Sequence, residues 1–200
     1  MMPSPLPAQP NQSLMEGMEV LLALARRGES AGVRELAREL GMTPTRLQRY
    51  IATLAHLGFA RQNADRRYES GPGIHALSAI TLSASGLAQR ALTILPELAD
   101  LGVIVALGVL WRKSVSYLYF SQPGTTLSQS LGRASDYPAW DSVIGHVLMA
   151  QQSDAWIAQN FAPQLSQLMP CIRTVRHCGF ARIPRENGEV SLGIPVGSPA

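Results

Sequence analysis

Cysteine and lysine are both scarce in this sequence. Only two cysteines occur in 200 residues, Cys171 and Cys178, which is too few for a secreted disulfide framework and is typical of the reducing cytosol. All but one of the 17 basic side chains are arginines, the exception being Lys113. The planar guanidinium of arginine binds a phosphate group better than the ammonium of lysine does. A GC-rich coding sequence, however, produces the same preference for arginine over lysine. The composition therefore does not by itself predict nucleic-acid binding.

Long hydrophobic runs are also absent. The most apolar stretch, residues 101–110, is well short of the roughly 20 residues that a membrane-spanning helix needs. The first residues, MMPSPLPAQPNQ, lack the basic and apolar regions of a signal peptide, and their prolines predict a disordered tail at residues 1–12. We therefore expect a cytoplasmic protein that does not enter a membrane.

The remaining composition is that of an ordinary globular protein, with 46% hydrophobic and 16% charged residues. The formal net charge is only +3, and residues 13–72 hold nine arginines against seven acidic residues. Any affinity for DNA must therefore come from where the arginines lie rather than from a uniformly basic surface. A chain of this length needs neither disulfides nor metals to fold.

Two helical patterns occupy the first forty residues. Ser13 and Glu16 fit a capping box at the start of the first helix, and Arg26, Arg27 and Gly28 suit its end. The second helix is expected to start at Gly32. Apolar residues recur at helical spacing at Met18, Leu21, Leu22 and Ala25, and again at Val33, Leu36, Ala37 and Leu40.

A short turn and a third helix follow. Gly41 ends the second pattern, Thr43 supplies an N-cap oxygen, and Pro44 suits the first helical position, where its missing N–H costs nothing. A brief turn that contains a glycine is typical of the helix-turn-helix. We expect the inward face of the third helix to consist of Leu47, Tyr50, Ile51, Leu54 and Leu57.

The pattern of residues 59–69 predicts a β-hairpin with a polar tip, and two arginines follow that tip. Three helices and such a hairpin form a winged helix-turn-helix over residues 13–72, in which the third helix enters the major groove. Arginine and glutamine pair with base edges, and threonine hydroxyls anchor phosphates. The alternative is a solvated polar face on a fold that serves protein contacts. The candidate DNA-binding residues are Thr43, Thr45, Arg46, Gln48, Arg49, Thr53, Arg66 and Arg67.

The segments SLMEGMEVLLALARRG, VRELARELGMTPTRLQRYIATLAHLGF and ARQNADRRYESGPG, in this order, resemble the IclR family of bacterial transcriptional regulators. The third-helix pattern of that family is met at Gly41, Thr45 and Arg49, and the end of its wing at Tyr68 and Gly71. The resemblance continues in YPAWDSVIGHVLMA and IRTVRHCGFARIPRENGEVSLGIPV. Departures from the family pattern include Ser70, Trp140, Asp141 and His146.

The resemblance implies an α+β protein with a linker helix at residues 73–86 and a GAF- or PAS-like effector-binding domain at residues 87–200. We expect a helix over residues 87–101 that Pro96 kinks or begins, and strands over residues 103–110 and 116–120. Family members usually continue past the position of Ala200. We therefore expect this domain to lack the family's last strand and helix and to expose a sheet edge.

By the same resemblance, the protein is expected to bind a double-stranded DNA operator as a dimer or a tetramer, under the control of a small organic acid or aromatic effector. The candidate effector-binding residues, by position in the family pattern, are Trp140, Asp141, Ser142 and Ser191. An alternative is a truncated module that binds DNA or dimerises without effector control.

Two other groups of residues do not support a site. Cys171, His177 and Cys178 are residue types that bind zinc, but their spacing fits no zinc motif, so we expect buried thiols and no metal. Ser142 and His146 share a helix face, yet no Gly-x-Ser-x-Gly turn surrounds the serine. We therefore expect neither enzymatic activity nor a cofactor.

Overall fold

The computed structural model describes residues 9–91, 94–130 and 136–196. Two predictions fall partly outside these ranges, namely the tail at residues 1–12 and the helix over residues 87–101. The chain divides into two compact units, with the boundary between Gly86 and Leu87. The predicted α+β organisation is confirmed, since both units combine helices with short antiparallel sheets. In the part of the chain that is described, no helix is both long and apolar enough to cross a membrane.

The first unit is a bundle of three helices followed by a hairpin and a fourth helix. Strands β1 and β2 pair antiparallel, with Arg61 opposite Glu69, and form the predicted wing. The elements are α1 (Gln12–Arg27), α2 (Val33–Glu39), α3 (Pro44–His56), β1 (Ala60–Gln62), β2 (Tyr68–Ser70) and α4 (Gly73–Ser85).

The start and the buried face of α1 differ from the prediction. Asn11 is the N-cap, since its side chain accepts the N–H of Leu14, and Ser13 lies inside the helix. Gly28 ends the helix in the left-handed conformation, as predicted. The stretch VLLALA is apolar around most of the helix, so spacing alone could not select the core face. The buried residues are Val20, Leu21, Ala23 and Leu24, whereas Met18 and Ala25 are exposed.

Helices α2 and α3 begin where the sequence predicts. Gly32 precedes α2, and the Thr43 side chain caps α3 by accepting the N–H of Arg46. Leu36, Leu47 and Ile51 are fully buried and join the two helices in one core. The prediction that Leu57 faces inward is wrong, since it is exposed as the C-cap residue where the chain already turns toward β1.

The second unit consists of two small sheets and six helices among its described residues. Strands β3, β4 and β5 form one antiparallel sheet, and β6 and β7 form another. The elements are α5 (Leu87–Ala91), α6 (Leu95–Ala99), β3 (Val105–Trp111), β4 (Ser114–Ser121), α7 (Leu127–Ser130), β5 (Asp136–Pro138), α8 (Val143–Ala150), α9 (Asp154–Asn160), α10 (Leu165–Cys178), β6 (Ala181–Pro184) and β7 (Val190–Gly193).

Two expectations for this unit are corrected. The described parts of residues 87–101 form two short helices rather than one, and Pro96 lies in the first turn of α6, where its missing N–H is harmless. The strand predicted from Val103 begins at Val105, and Val103 and Ile104 are more than half exposed. The hydrophobic run at residues 103–110 located the strand, but it did not show that a turn precedes Val105.

Helix α8 lies at the centre of the second unit and contacts α10 and both sheets. A single-turn 3₁₀ helix, Ala139–Asp141, leads into it, and Ser142 caps it by accepting the N–H of Gly145. The core around α8 includes Val115, Met149 and Ile172, all fully buried. This arrangement places the 3₁₀ helix beside the carboxyl end of α10 and strand β6.

Candidate DNA-binding surface and ligand cavity

The predicted DNA-reading residues share the exposed face of α3. Thr43 lies at the N-cap, and the helix turns the buried Leu47 and Ile51 toward the core. The opposite face therefore points away from the bundle. Among the candidates, Thr43, Thr45, Arg46, Gln48, Arg49 and Thr53 are all exposed.

Arg46 is held by the first helix. Its Nη2 lies 2.7 Å from Oε1 of Glu16, and its Nε donates to the hydroxyl of Tyr50 at 3.3 Å. Tyr50 in turn donates to Oε2 of Glu16 at 2.8 Å. Hydrogen bonds from Gln12 and Tyr50 lower the pKa of Glu16, so this carboxylate stays ionised beside the guanidinium. Sequence spacing gave no sign of Glu16, which lies 30 residues before Arg46.

Arg49 and Gln48 have different surroundings. Gln48 donates to the hydroxyl of Tyr68 at 3.3 Å, which connects α3 with the wing. Thr53 donates to the backbone oxygen of Arg49, a bond within the helix. The guanidinium of Arg49 itself forms no ion pair or hydrogen bond with the described residues, so it is free to bind another molecule.

The two wing arginines have opposite orientations. Arg66 is exposed at the tip of the hairpin, with a left-handed backbone φ of 60°. Arg67 points back into the domain, where Nη2 donates to the backbone oxygen of Ser30 and to Oε2 of Glu35, both at 2.9 Å. The guanidinium of Arg67 therefore fastens the wing to the loop before α2, and its predicted contact with DNA stays a prediction.

Glu35 is the centre of this attachment. Its carboxylate binds Arg27 and Arg67 and accepts the backbone N–H of Gly32 at 3.4 Å. The N–H of Gly32 and then the guanidinium of Arg67 lower the pKa of Glu35 below its ordinary value of 4.5. A lowered pKa in the folded state stabilises the fold above the unfolded pKa, and this contribution is lost as the pH falls.

We therefore expect Glu35→Gln to weaken the wing attachment at neutral pH but not in acid. Hydrogen–deuterium exchange of peptides from residues 27–35 and 60–70 should be faster in the variant at pH 7. The difference from the parent protein should shrink as the pH falls below about 4.5, because the parent's Glu35 is then increasingly protonated. A difference that does not shrink at any pH below 4.5 at which both proteins remain folded would contradict the role of this charge.

The second unit contains a cavity of about 470 Å³ between α10, β6 and the 3₁₀ helix that precedes α8. Most of its walls are apolar, and the polar groups are few. Trp140 and Asp141, both predicted effector residues, lie in this wall. The lining residues are Trp140, Asp141, His146, Cys171, Thr174, Val175, Cys178, Phe180, Ala181, Arg182, Ile183 and Pro184.

Ser142 and Ser191, the other predicted effector residues, lie outside this cavity. Ser142 is buried and uses its hydroxyl to cap α8. Ser191, on β7, accepts the Nε–H of Arg185 at 2.9 Å. Both hydroxyls are thus engaged in local structure, which a pattern of residue types does not reveal.

Asp141 is also engaged, since the hydroxyl of Tyr137 donates to its Oδ2 at 2.9 Å. This bond to a carboxylate raises the pKa of Tyr137 above its ordinary value. The expectation of buried thiols is wrong, because Cys171 and Cys178 are both free and exposed. Within the described ranges, no three or more histidine, cysteine or acidic side chains are grouped as a metal would require.

The geometry of the first unit agrees with a comparison of its sequence. Residues 13–64 match the family model described as the IclR helix-turn-helix domain. This segment is an IclR-type helix-turn-helix domain. It contains all three helices of the bundle and β1, and so includes the exposed arginines of α3. No curated protein sequence matches the chain.

Over most of its length, the chain is similar in fold to solved structures of IclR-family regulators. A regulator of this family from Brucella abortus is similar over 94% of this chain and 82% of that one, with a TM-score of 0.67 and 21% identity. An IclR homologue from Microbacterium hydrocarbonoxydans, in complex with 4-hydroxybenzoate, is similar over 94% and 84%, with a TM-score of 0.71 and 16% identity. A putative regulator from Silicibacter is similar over 85% and 72%, with a TM-score of 0.71 and 20% identity.

Proposed function

We propose that this protein is an IclR-type transcriptional regulator that binds a double-stranded DNA operator through α3 and the wing. The observation that carries the proposal is the exposed face at the start of α3, on a domain of the IclR helix-turn-helix type. Free arginine there can form two hydrogen bonds with guanine in the major groove. A mobility-shift titration against DNA from the protein's own promoter tests the proposal.

Each candidate residue has a role in this proposal that follows from its surroundings. Arg49 reads a base, because none of the described residues holds its guanidinium. Arg46 is oriented by Glu16, and its own side chain remains 49% exposed, so its guanidinium is accessible to DNA. Thr43 and Thr45 contact phosphates beside the helix N-terminus, and Arg66 contacts the flanking backbone. Gln48 contacts a base edge while it is braced by Tyr68.

Two copies of the chain would read the two halves of an operator. A surface suited to pairing is α4, which has no buried residue although most of its side chains are apolar. Leu77 is 53% exposed and Ile80 is 67% exposed, and they lie three residues apart on one side of the helix. Exposed apolar residues arranged in this way are typical of a contact surface. We therefore include dimerisation through α4 in the proposal.

We expect the double variant Leu77→Glu, Ile80→Glu to weaken the dimer at least about tenfold in analytical ultracentrifugation, since a charge buried without a partner is costly. His75→Glu is the matched control, because His75 lies on the other side of α4 and its change should leave association intact. Equal association of all three proteins would exclude α4 as the contact.

The cavity of the second unit is the proposed effector site. Its volume suits a small molecule, and Trp140 in its wall is 40% exposed, which leaves an indole face for a flat ligand. The walls suit an aromatic compound better than a simple acid, since Asp141 would repel a carboxylate. Binding of such a ligand is proposed to change the affinity for the operator by favouring one state of the protein.

A thermal shift screen with aromatic acids, phenols and aldehydes tests this assignment. A ligand at about one hundred times its dissociation constant stabilises the unit by about 2.7 kcal/mol, which raises the melting temperature by several degrees. Trp140→Ala should abolish the shift. Trp156→Phe should retain it, because Trp156 is not part of the cavity wall. If no compound acts while operator binding persists, the protein binds DNA without effector control.

A further inference from the structure

Arg46 is held by other side chains, unlike its neighbour Arg49 on the exposed face of α3. A guanidinium carries five N–H groups in one plane. In Arg46, Nε donates to the hydroxyl of Tyr50 at 3.3 Å, and Nη2 lies 2.7 Å from Oε1 of Glu16. These two partners occupy the edge of the guanidinium that carries Nε and Nη2. The end of the group, formed by Nη1 and the second N–H of Nη2, has no partner among the described residues.

The side chains that hold Arg46 are themselves fixed. The Tyr50 hydroxyl donates to Oε2 of Glu16 at 2.8 Å, and Nε2 of Gln12 donates to Oε1 at 2.8 Å. Only 12% of the Glu16 side chain is exposed, and Tyr50 packs against the core of the first unit. Glu16 and Tyr50 thus form a support from which the guanidinium of Arg46 extends toward solvent.

This support depends on the packing of two helices. A spacing of four residues places Gln12 beside Glu16 on α1 and Arg46 beside Tyr50 on α3. The contact between α1 and α3 then brings the carboxylate of the first pair against the guanidinium of the second. The supported arginine lies in the first turn of α3, which is the part of a recognition helix that meets base edges.

A supported arginine differs from a mobile one in what it recognises. A mobile guanidinium can turn to a phosphate as readily as to a base, and phosphate contacts carry no sequence information. It also loses rotamer freedom when it binds, and this loss opposes binding. The Arg46 side chain has already lost that freedom on folding. Its open end presents two parallel N–H groups, the pattern that O6 and N7 of guanine accept.

We propose that Glu16 and Tyr50 are positioning residues for sequence recognition, which hold the end of the Arg46 guanidinium toward one guanine of the operator. This inference rests on the proposed function. Glu16 and Tyr50 act through Arg46 and do not contact DNA, whereas the unsupported Arg49 reads a separate base pair. A carboxylate in a DNA-binding domain ordinarily weakens binding, since it repels phosphates. The carboxylate of Glu16 instead favours the correct sequence.

Removal of this carboxylate separates the two effects. Glu16→Ala eliminates a negative charge, so the affinity for unrelated DNA should stay the same or rise. The affinity for the operator should fall, because Arg46 must then be ordered as it binds. We expect the ratio of operator affinity to unrelated-DNA affinity to fall about fivefold, as for the ordering of one long side chain. A role in folding alone would weaken binding to both DNAs together.

Two further variants and a control isolate the support. Tyr50→Phe removes one oxygen and keeps the ring, so the ratio should fall with no change in the affinity for unrelated DNA. Glu16→Gln retains an oxygen that can accept from Arg46 and should recover part of the ratio lost in Glu16→Ala. Glu29→Ala is the matched control and should keep the parent's ratio. It removes the same charge from the loop between α1 and α2, where the carboxylate lies near Arg27.

The test measures fluorescence anisotropy with the full-length protein at one salt concentration. The DNA is the operator from the protein's own promoter, together with duplexes in which one base pair at a time is changed. Arg46→Ala should abolish discrimination at one base pair, and Glu16→Ala and Tyr50→Phe should weaken it at that same pair. Adding either change to Arg46→Ala should have no further effect on base preference. Discrimination at the base pair read by Arg49 should remain that of the parent protein.

A measurement without DNA tests the support directly. Nitrogen-15 relaxation should show the Nε–H of Arg46 as rigid in the free parent protein, and as mobile as that of Arg49 in Glu16→Ala. Equal mobility of the two arginines in the parent would overturn the proposal. Unchanged base preference in Glu16→Ala and Tyr50→Phe, or an Arg46→Ala protein that binds all duplexes equally weakly, would also overturn it. If the parent does not prefer its operator to unrelated DNA, the proposed function itself is rejected and the positioning role falls with it.

Discussion

Replacing Gly145 with alanine is expected to destabilise the second unit by about 3 kcal/mol, the upper end of the usual cost of overpacking. A Cβ atom at this position would lie 2.0 Å from the backbone oxygen of Ala139 and 2.7 Å from its carbonyl carbon. Ala139 has no room to retreat, since it is fully buried and its N–H donates to the backbone oxygen of Lys113 at 3.0 Å. The clash is therefore between two fixed backbone segments, and α8 must shift away from the turn that precedes it.

Tryptophan fluorescence during urea unfolding measures this effect selectively. All three tryptophans, Trp111, Trp140 and Trp156, belong to the second unit. The control is Gly17→Ala, the same change inside α1 of the first unit, where a Cβ would have nothing within 4 Å. Gly17→Ala should leave the urea midpoint of the tryptophan fluorescence transition unchanged and should stabilise α1 by about 1 kcal/mol. If Gly145→Ala unfolds at the same urea concentration as the parent protein, then α8 and the backbone at Ala139 can move apart at little cost.

Replacing Arg49 with alanine is expected to weaken binding to the specific operator by about 1–3 kcal/mol and to leave nonspecific DNA affinity less affected. The reason is that Arg49 is exposed in the second turn of α3 and has no partner among the described residues. Its whole hydrogen-bonding capacity is thus available to a base. Arg49→Lys should lose most of the same discrimination, since lysine cannot form the planar, two-bond pair with guanine.

Arg66→Ala provides the matched control at the wing tip. It should weaken binding to all DNA sequences alike. It should also make the slope of log affinity against log salt less steep by about 0.9, as expected for one lost phosphate contact. Fluorescence anisotropy titrations at several salt concentrations distinguish the two behaviours. If neither variant differs from the parent protein, α3 and the wing are not the DNA-binding surface.

The first unit could be predicted in detail because its elements are defined by local interactions. Thr43 and Pro44 mark the start of α3, Gly28 ends α1 in a left-handed conformation, and each involves only neighbouring residues. The α1 core face was predicted wrongly, since a nearly continuous apolar stretch offers several equivalent stripes. Its N-cap was also misassigned, because Asn11 and Ser13 both had suitable side chains.

The second unit was less predictable because its features depend on residues far apart in sequence. The strand that begins at Val105 and the short helices around Pro96 differ from the predicted ranges through turns that hydrophobicity does not encode. The cavity joins the 3₁₀ helix at residues 139–141, the inner face of α10 and strand β6. No spacing rule brings His146 and Cys171 to one wall, so neither was predicted to line a cavity.

The sequence alone determined the three-helix bundle with its wing and which polar residues of α3 are exposed, because helix caps and apolar spacing act over a few residues. The tertiary structure decided what those exposed residues are free to do. Glu16 holds Arg46, and Glu35 draws Arg67 away from the wing surface, whereas Arg49 has no partner among the described residues. Whether an arginine is available to bind DNA depends on whether folding places a carboxylate beside it. The distance between two such side chains cannot be read from their positions in the sequence.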